Sequence, residues 1–205
     1  MRRLNIGCGS VQPEGWDNAD NTDYGQRWWV DILDHPYFTD RTTPDQELDW
    51  LARKPEYGFK DEFDYIVANH LLSCFSHHEL IGKVFPNLRS MLKKGGVLRV
   101  LVPNARKAVD AYLNGDASFF PLGEDLPDPA ERFCTFLPWF GESKSIFDEF
   151  YLHGIAMKGG FGWNGTEPSA GSAVCRSGES WFLPGSEITA LDDRPVQSLI
   201  MEFKK

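Results

Sequence analysis

The chain has 205 residues, 41% of them hydrophobic and 25% charged, which is the composition of one globular unit with one core. Its formal net charge is −9, so it lacks the basic balance needed to neutralise phosphates, and unaided nucleic-acid binding is not expected. No apolar run approaches the roughly 20 residues that span a bilayer, so no membrane partner is expected either. Cys8, Cys74, Cys134 and Cys175 are scattered without metal-ligand spacing, and no metal site is expected. They read as reduced thiols of a cytoplasmic protein. Arg2 and Arg3 run directly into an apolar segment, so no signal peptide is expected.

Strand and helix signals alternate along the chain, which favours an α/β fold with a largely parallel sheet. Arg3–Ile6 reads as the first strand, Asp17–Asn21 as a short second and Trp28–Asp31 as a third. Phe63–Ala68 is a fourth, apolar at most positions, as a strand covered on both faces should be. Ser76-His77-His78-Glu79 fits a capping box. The helix it opens carries Leu80, Ile81, Val84, Phe85, Leu88, Met91 and Leu92 at helical spacing, with Pro86 expected to kink or restart it. Gly95-Gly96 ends that run and Val97–Val102 forms a fifth strand. Asn104 can cap a further helix that runs through Leu113 and stops at Gly115. Residues 116–180 are dense in Gly, Pro, Phe and Trp; one helix is expected over Ser145–Met157, and Lys158–Gly171, with five glycines, reads as a loop. Gln197–Phe203 alternates as an edge or antiparallel strand does.

The chemistry is concentrated near the N-terminus. Leu4-Asn5-Ile6-Gly7-Cys8-Gly9-Ser10 runs a strand into a glycine-rich turn, and Asp20 stands eleven positions beyond Gly9. In a dinucleotide fingerprint a third glycine lets the first helix pack closely, with the pyrophosphate on its N-terminus. Here that position is Gln12, followed by Pro13 and Gly15, which leaves little room for such a helix. No Tyr-x-x-x-Lys pair is present. A nucleotide-linked oxidoreductase is therefore disfavoured. A nucleoside ligand with a small zwitterionic tail needs only bare backbone at the turn and a ribose acceptor at Asp20.

With Gly15-Trp16-Asp17-Asn18-Ala19-Asp20, Asp31-Ile32, Phe63–His70, Leu92-Lys93-Lys94-Gly95-Gly96 followed by Leu98–Pro103, and Leu191-Asp192-Asp193-Arg194-Pro195 through Glu202, the chain resembles the class I S-adenosylmethionine-dependent methyltransferases. It is most similar to the small type 11 branch. The resemblance covers residues 3–115 and 190–205 and implies a Rossmann-like methyltransferase fold, with a mostly parallel seven-stranded sheet and an antiparallel C-terminal strand. It also implies S-adenosylmethionine as cofactor and S-adenosylhomocysteine as its product. By the same resemblance Gly7, Cys8 and Gly9 meet the methionine part through backbone, and Asp20 accepts from both ribose hydroxyls. Asp31 takes the adenine amino group, with Asp34 as an alternative, while the amide of Ile32 or Leu33 meets a ring nitrogen. Asn69 offers its carbonyl to the methionine ammonium. Asn5 braces the turn.

Relatives follow the fourth strand with His, two apolar residues and Glu-His; here the chain reads His70-Leu71-Leu72-Ser73-Cys74, so the Glu-His pair is missing. His70 is the candidate base, able to take a proton near neutral pH, against the alternative of a packed strand-end histidine. Asn104, at the exit of the fifth strand, faces the region where acceptors bind in the family. His77 and His78 fit a solvated helix start, His35 and His153 have no visible partner, and Asp192-Asp193-Arg194 reads as a structural turn. The expected architecture is one domain over 1–205, with 116–180 as a substrate-covering insertion. Phe119, Phe120, Trp139, Phe140 and Trp163 are candidate lining, against filling a small second core. The expected activity is methyl transfer to a small-molecule or saccharide-like acceptor, by a monomer or homodimer. The alternative is a protein that binds the cofactor or its product without catalysis.

Overall fold

The computed structural model describes residues 1–26, 28–33, 37–40, 57–122, 125–161, 172–174 and 196–205. Its strands are β1 (Arg3–Ile6), β2 (Asp17–Asp20), β3 (Trp28–Asp31), β4 (Tyr37–Asp40), β5 (Tyr57–Gly58), β6 (Phe63–Asn69), β7 (Leu92–Pro103), β8 (Ser172–Val174) and β9 (Ser198–Lys204). They join one sheet in the order β5-β4-β3-β2-β1-β6-β7-β9-β8. The central run from β3 to β7 is parallel, and β4, β5, β9 and β8 add on antiparallel at the two sides. The fold is thus Rossmann-like with an antiparallel C-terminal strand, but the described sheet has nine strands rather than seven. The three strands that the sequence reading did not place, β4, β5 and β8, are short antiparallel additions of two to four residues. Segments that brief carry no readable alternation. Strand β9 is not an edge, because β8 lies outside it.

Strand β6 explains the central core. Phe63, Tyr65, Ile66, Val67 and Ala68 are all buried, because neighbours cover both faces of the sheet. On one face Leu4, Ile6, Ile66, Ala68, Leu98, Val100 and Phe203 pack against Val84, Phe85, Leu88, Leu152 and Ile155. On the other, Tyr65, Val67, Val97, Leu101 and Ile200 pack with Trp16. That second face also buries an ion pair: Glu202 accepts from the Arg99 guanidinium at 3.2 Å and from the Tyr65 hydroxyl at 2.5 Å.

The helix after β6 begins as α1 (His77–Glu79), with the Ser76 capping box formed as its sequence predicts. It then loosens into a π-helical stretch, Leu80–Val84, and resumes as α2 (Phe85–Met91) with Pro86 in its first turn. Pro86 has no N–H to carry on the helical ladder, and it falls where the π-helical stretch passes into α2. Gly159 explains how closely the later helices approach, since a Cβ there would sit 2.3 Å from Phe85. Helix α3 (Ala105–Leu113) is capped by Asn104, whose Oδ1 accepts from the Lys107 amide at 3.2 Å.

Within 116–180 the structure describes α4 (Pro129–Phe136) and α5 (Glu149–Ala156), the latter running into a π-helical stretch, Met157–Phe161. The helix expected over Ser145–Met157 therefore starts later and ends in a looser turn, because Asp148 caps it by accepting from the Tyr151 amide at 2.7 Å. Phe119, Phe120 and Phe136 fill a small second core against Ala108 and Ala111, with Trp139 at its margin. Phe140 is exposed. Trp163, Asp34, His35, Cys175 and Asp192-Asp193-Arg194 lie outside the described residues, as does most of Lys158–Gly171.

Candidate cofactor site

Strands β1, β2 and β3 are laid successively to one side, and the chain then returns to place β6 on the other side of β1. That reversal leaves a crevice at the carboxyl ends of the strands, where open α/β sheets bind ligands. A cavity of about 160 Å³ opens there, lined by Ile6, Gly7, Asp20, Asn21, Val30, Ile32, Leu33, Leu71 and Phe75. Among the described residues its walls are mostly apolar and carry one carboxylate, Asp20.

The turn after β1 is shaped by glycine. Gly7 has φ +67°, and a Cβ there would stand 2.9 Å from Leu71 Cδ1. The amides of Gly7 and Cys8 both donate to the Ala19 carbonyl, at 2.8 and 3.1 Å. Gly9 has φ +51° with open space where a Cβ would lie, so the turn stays bare on that side. No helix follows: residues 7–16 are irregular, although parallel strands are usually joined through a helical crossover. Side chains hold this link instead. Asn5 Nδ2 donates to the Val11 carbonyl at 2.7 Å, and Gln12 Nε2 donates to the carbonyls of Tyr24 and Gly9 at 2.9 and 3.3 Å. The absence of room for a pyrophosphate-binding helix, expected from Gln12-Pro13, is met in the structure.

Asp20 ends β2 and is 8% exposed. One carboxylate oxygen accepts from the Gly9 amide at 2.9 Å and the other from the Thr22 amide at 2.9 Å. The carboxylate is therefore held rigidly, and of its roughly four acceptor positions two remain for a ligand. Gln26, itself buried, ties the following loop by donating to the carbonyls of Thr22 (2.8 Å) and Asp20 (3.3 Å). Next to this carboxylate, burial and then the Asp20 charge push the Cys8 thiol up to about 12, so it stays neutral and serves as a small filler rather than a nucleophile.

Gly7, Asp20 and Ile32 meet at the cavity, as do Leu33 and the end of β3. Asp31 closes β3 in register with Tyr37, and its side chain lies outside the described set. Asn69 ends β6 in register with Leu101 and is not among the cavity residues. His70 has φ +52°, its amide donates to the Leu101 carbonyl at 2.8 Å, and its Nε2 lies 3.3 Å from Ser198 Oγ. The ring is thus turned toward β9. Asn104 likewise lies away from the cavity and uses its side chain as the cap of α3. The turn Leu72–Cys74 after His70 is flanked by two cavity walls that sequence reasoning missed, Leu71 and Phe75. Their signal was present as apolar residues in the segment where the Glu-His pair was sought. Asn21 and Val30 were missed as well. Among the described residues no group of His, Cys, Asp and Glu could hold a metal, and no helix is long and apolar enough to cross a membrane.

No family model matches the chain, and no curated protein matches it. Among solved structures it is similar to the CurJ carbon methyltransferase, at 12% identity and TM-score 0.49, covering 100% of this chain and 48% of that one. It is also similar to a SAM-dependent methyltransferase from Mesorhizobium loti (15%, TM-score 0.48, 100% and 90% covered) and to another from Archaeoglobus fulgidus (14%, TM-score 0.45, 100% and 86%). All three are methyltransferases. The chain spans about half the length of the CurJ protein. At these values the likeness carries no weight for function, which rests on the cavity itself.

Proposed function

We propose that the chain binds S-adenosylmethionine across the ends of β1, β2 and β3 and transfers its methyl group to a small-molecule or saccharide-like acceptor. The observation that carries this reading is the rigid Asp20 carboxylate beside the bare Gly7–Gly9 turn, at the mouth of an apolar slot. A ribose presents two hydroxyl donors, which suits the two acceptor positions left on Asp20. The apolar walls suit the flat base, and the bare turn suits close approach of the tail. Gly7, Cys8, Gly9, Asp20, Asp31, Ile32 and Asn69 hold the cofactor in this reading. Methyl transfer from a sulfonium is an in-line displacement, so positioning and exclusion of water supply most of the rate. The segment 116–180 covers the acceptor in this proposal, and Ser145 supports that placement by tying it to a cavity wall: its hydroxyl donates to the Phe75 carbonyl at 2.6 Å.

Calorimetry tests the cofactor assignment. S-adenosylmethionine and S-adenosylhomocysteine are expected to bind and NAD is not. Asp20→Ala is expected to weaken both by about 1.5–3 kcal/mol, the scale of hydrogen bonds to a charged group. Unchanged affinity in that variant refutes the ribose assignment. A second reading, cofactor binding without catalysis, is favoured by two contacts: His70 Nε2 is directed at Ser198, and Asn104 is committed as a helix cap. Methyl release across a panel of acceptors separates the two readings.

A further inference from the structure

The cavity wall formed by Leu71 and Phe75 rests on a weak element. Between them lies the single turn Leu72–Cys74, closed by the Cys74 amide on the Leu71 carbonyl at 3.1 Å and the Phe75 amide on the Leu72 carbonyl at 3.2 Å. Bonds of this tight, short kind of turn have poor geometry. The remaining support comes from about 70 positions further along the chain. The amides of Lys144 and Ser145 both donate to the Ser73 carbonyl, at 2.8 and 3.1 Å, and the Ser145 hydroxyl donates to the Phe75 carbonyl at 2.6 Å. Ser145 is buried, yet it is not one of the cavity residues.

The link that carries Ser145 is itself anchored. Two residues on, Phe147 is fully buried and its carbonyl accepts from the amide of Ala105, the first residue of α3, at 2.8 Å. On its other side the Lys144 ammonium stands 3.8 Å from the Glu79 carboxylate. The link therefore ties the turn after β6 to the start of α3 after β7, and the wall has a fixed point to hold on to. The wall also has little slack, because the Leu71 side chain reaches within 2.9 Å of where a Cβ on Gly7 would lie. Without the Ser145 hydroxyl, Phe75 would be held by the short turn alone, and the slot would keep its ligand-ready width for a smaller share of the time. Affinity falls in proportion to that share.

We propose that Ser145 is a positioning residue that sets the width of the cofactor slot by holding the Phe75 carbonyl. The proposal rests on the cofactor reading above and adds to it a residue outside the cavity. The test is calorimetry on the full chain with S-adenosylhomocysteine. Ser145→Ala is expected to weaken binding about tenfold, as a wall in place about a tenth of the time would. Ile155→Val, a core change in α5 of the same segment, is expected to lower the urea midpoint and leave the affinity unchanged. A merely structural Ser145 would behave as Ile155 does, with unaltered affinity in folded protein, and that result overturns the proposal. An equal loss of affinity in both variants overturns it too. Where the alanine variant folds poorly, hydrogen exchange on the unaltered protein decides. Saturating S-adenosylhomocysteine is expected to slow the Lys144 and Ser145 amides about tenfold more than those of Leu137 and Gly141, which bond to Phe133 and Pro138 away from the wall. Equal slowing of all four overturns the proposal. An unaltered protein that binds no S-adenosylhomocysteine removes the cofactor reading and this inference with it. One that binds it, with Ser145→Ala unchanged, removes this inference alone.

Discussion

Gly7 shows how one absent side chain links backbone, packing and ligand. Its φ of +67° lies where an L-residue is strained, and a Cβ would also press on Leu71 at 2.9 Å. Gly7→Ala is expected to destabilise the fold by about 1–3 kcal/mol, the usual cost of such a backbone conformation. The measurement is the urea midpoint. The double variant Gly7→Ala with Leu71→Ala should recover only the part of the loss due to the Leu71 methyl groups, because Leu71 Cβ would still stand 3.0 Å away and the backbone strain remains. Full recovery would show that crowding alone requires the glycine. Asp20 illustrates a different economy: two backbone amides orient it before any ligand arrives, so binding need not order that side chain.

At the scale of elements, caps and strand ends were the most legible features. Asn104 was read from the sequence both as the cap of a helix through Leu113 and as a residue facing the acceptor. The structure gives its side chain the first task. Asn104→Ala is therefore expected to cost about 1 kcal/mol in chemical denaturation, while Asn104→Asp, an equally good cap, should keep the stability. Equal losses in both variants would contradict the cap. Strands β1, β3 and β6 were legible because short apolar runs end at Gly, Asp or Asn, whereas the order of the strands in the sheet was not read from the sequence. Helix α4 was missed although Asp128 and Pro129 carry an N-cap and first-turn proline, because its Phe-rich surroundings hide the helical period. Phe119 and Phe120 were ambiguous for a related reason: an aromatic residue in an irregular segment fits a second core as readily as a ligand wall. Leu71 and Phe75 were invisible as cavity residues, since only the switch in strand order brings their turn beside β3.

The whole molecule places its site and its charge network at opposite ends of the parallel strands of one mixed sheet. Ile6, Gly7, Asp20 and Ile32 stand at the carboxyl ends of β1 to β3. Arg2, Asp17, Glu62, Asp64 and Lys93 cluster at the amino ends of β1, β2, β6 and β7. There the Arg2 side chain pairs with Asp17 at 2.8 Å and with Glu62, and its guanidinium lies over the Phe59 and Phe63 rings. Asp64 accepts from the Arg2 amide at 2.6 Å and pairs with Lys93 at 2.9 Å. The hydrogen bond from Lys93, aided by that amide and outweighing partial burial, holds the Asp64 carboxyl below the usual carboxylate range. A carboxyl depressed in the folded state stabilises above its unfolded value, near pH 4, and that contribution is lost as pH falls through the folded value. Asp64→Asn is therefore expected to be less stable than the unaltered chain at pH 7, with the gap closing as the pH drops below about 4. Urea midpoints between pH 7 and pH 3 measure it, and a gap that stays constant over that range would contradict the assignment. Because the network sits at the far edge of the sheet, the same substitution should leave the affinity for S-adenosylhomocysteine at pH 7 unchanged. A loss of affinity in folded protein would mean that the two edges are coupled through strands β1 and β6, whose carboxyl ends carry Gly7 and Leu71 to the cavity.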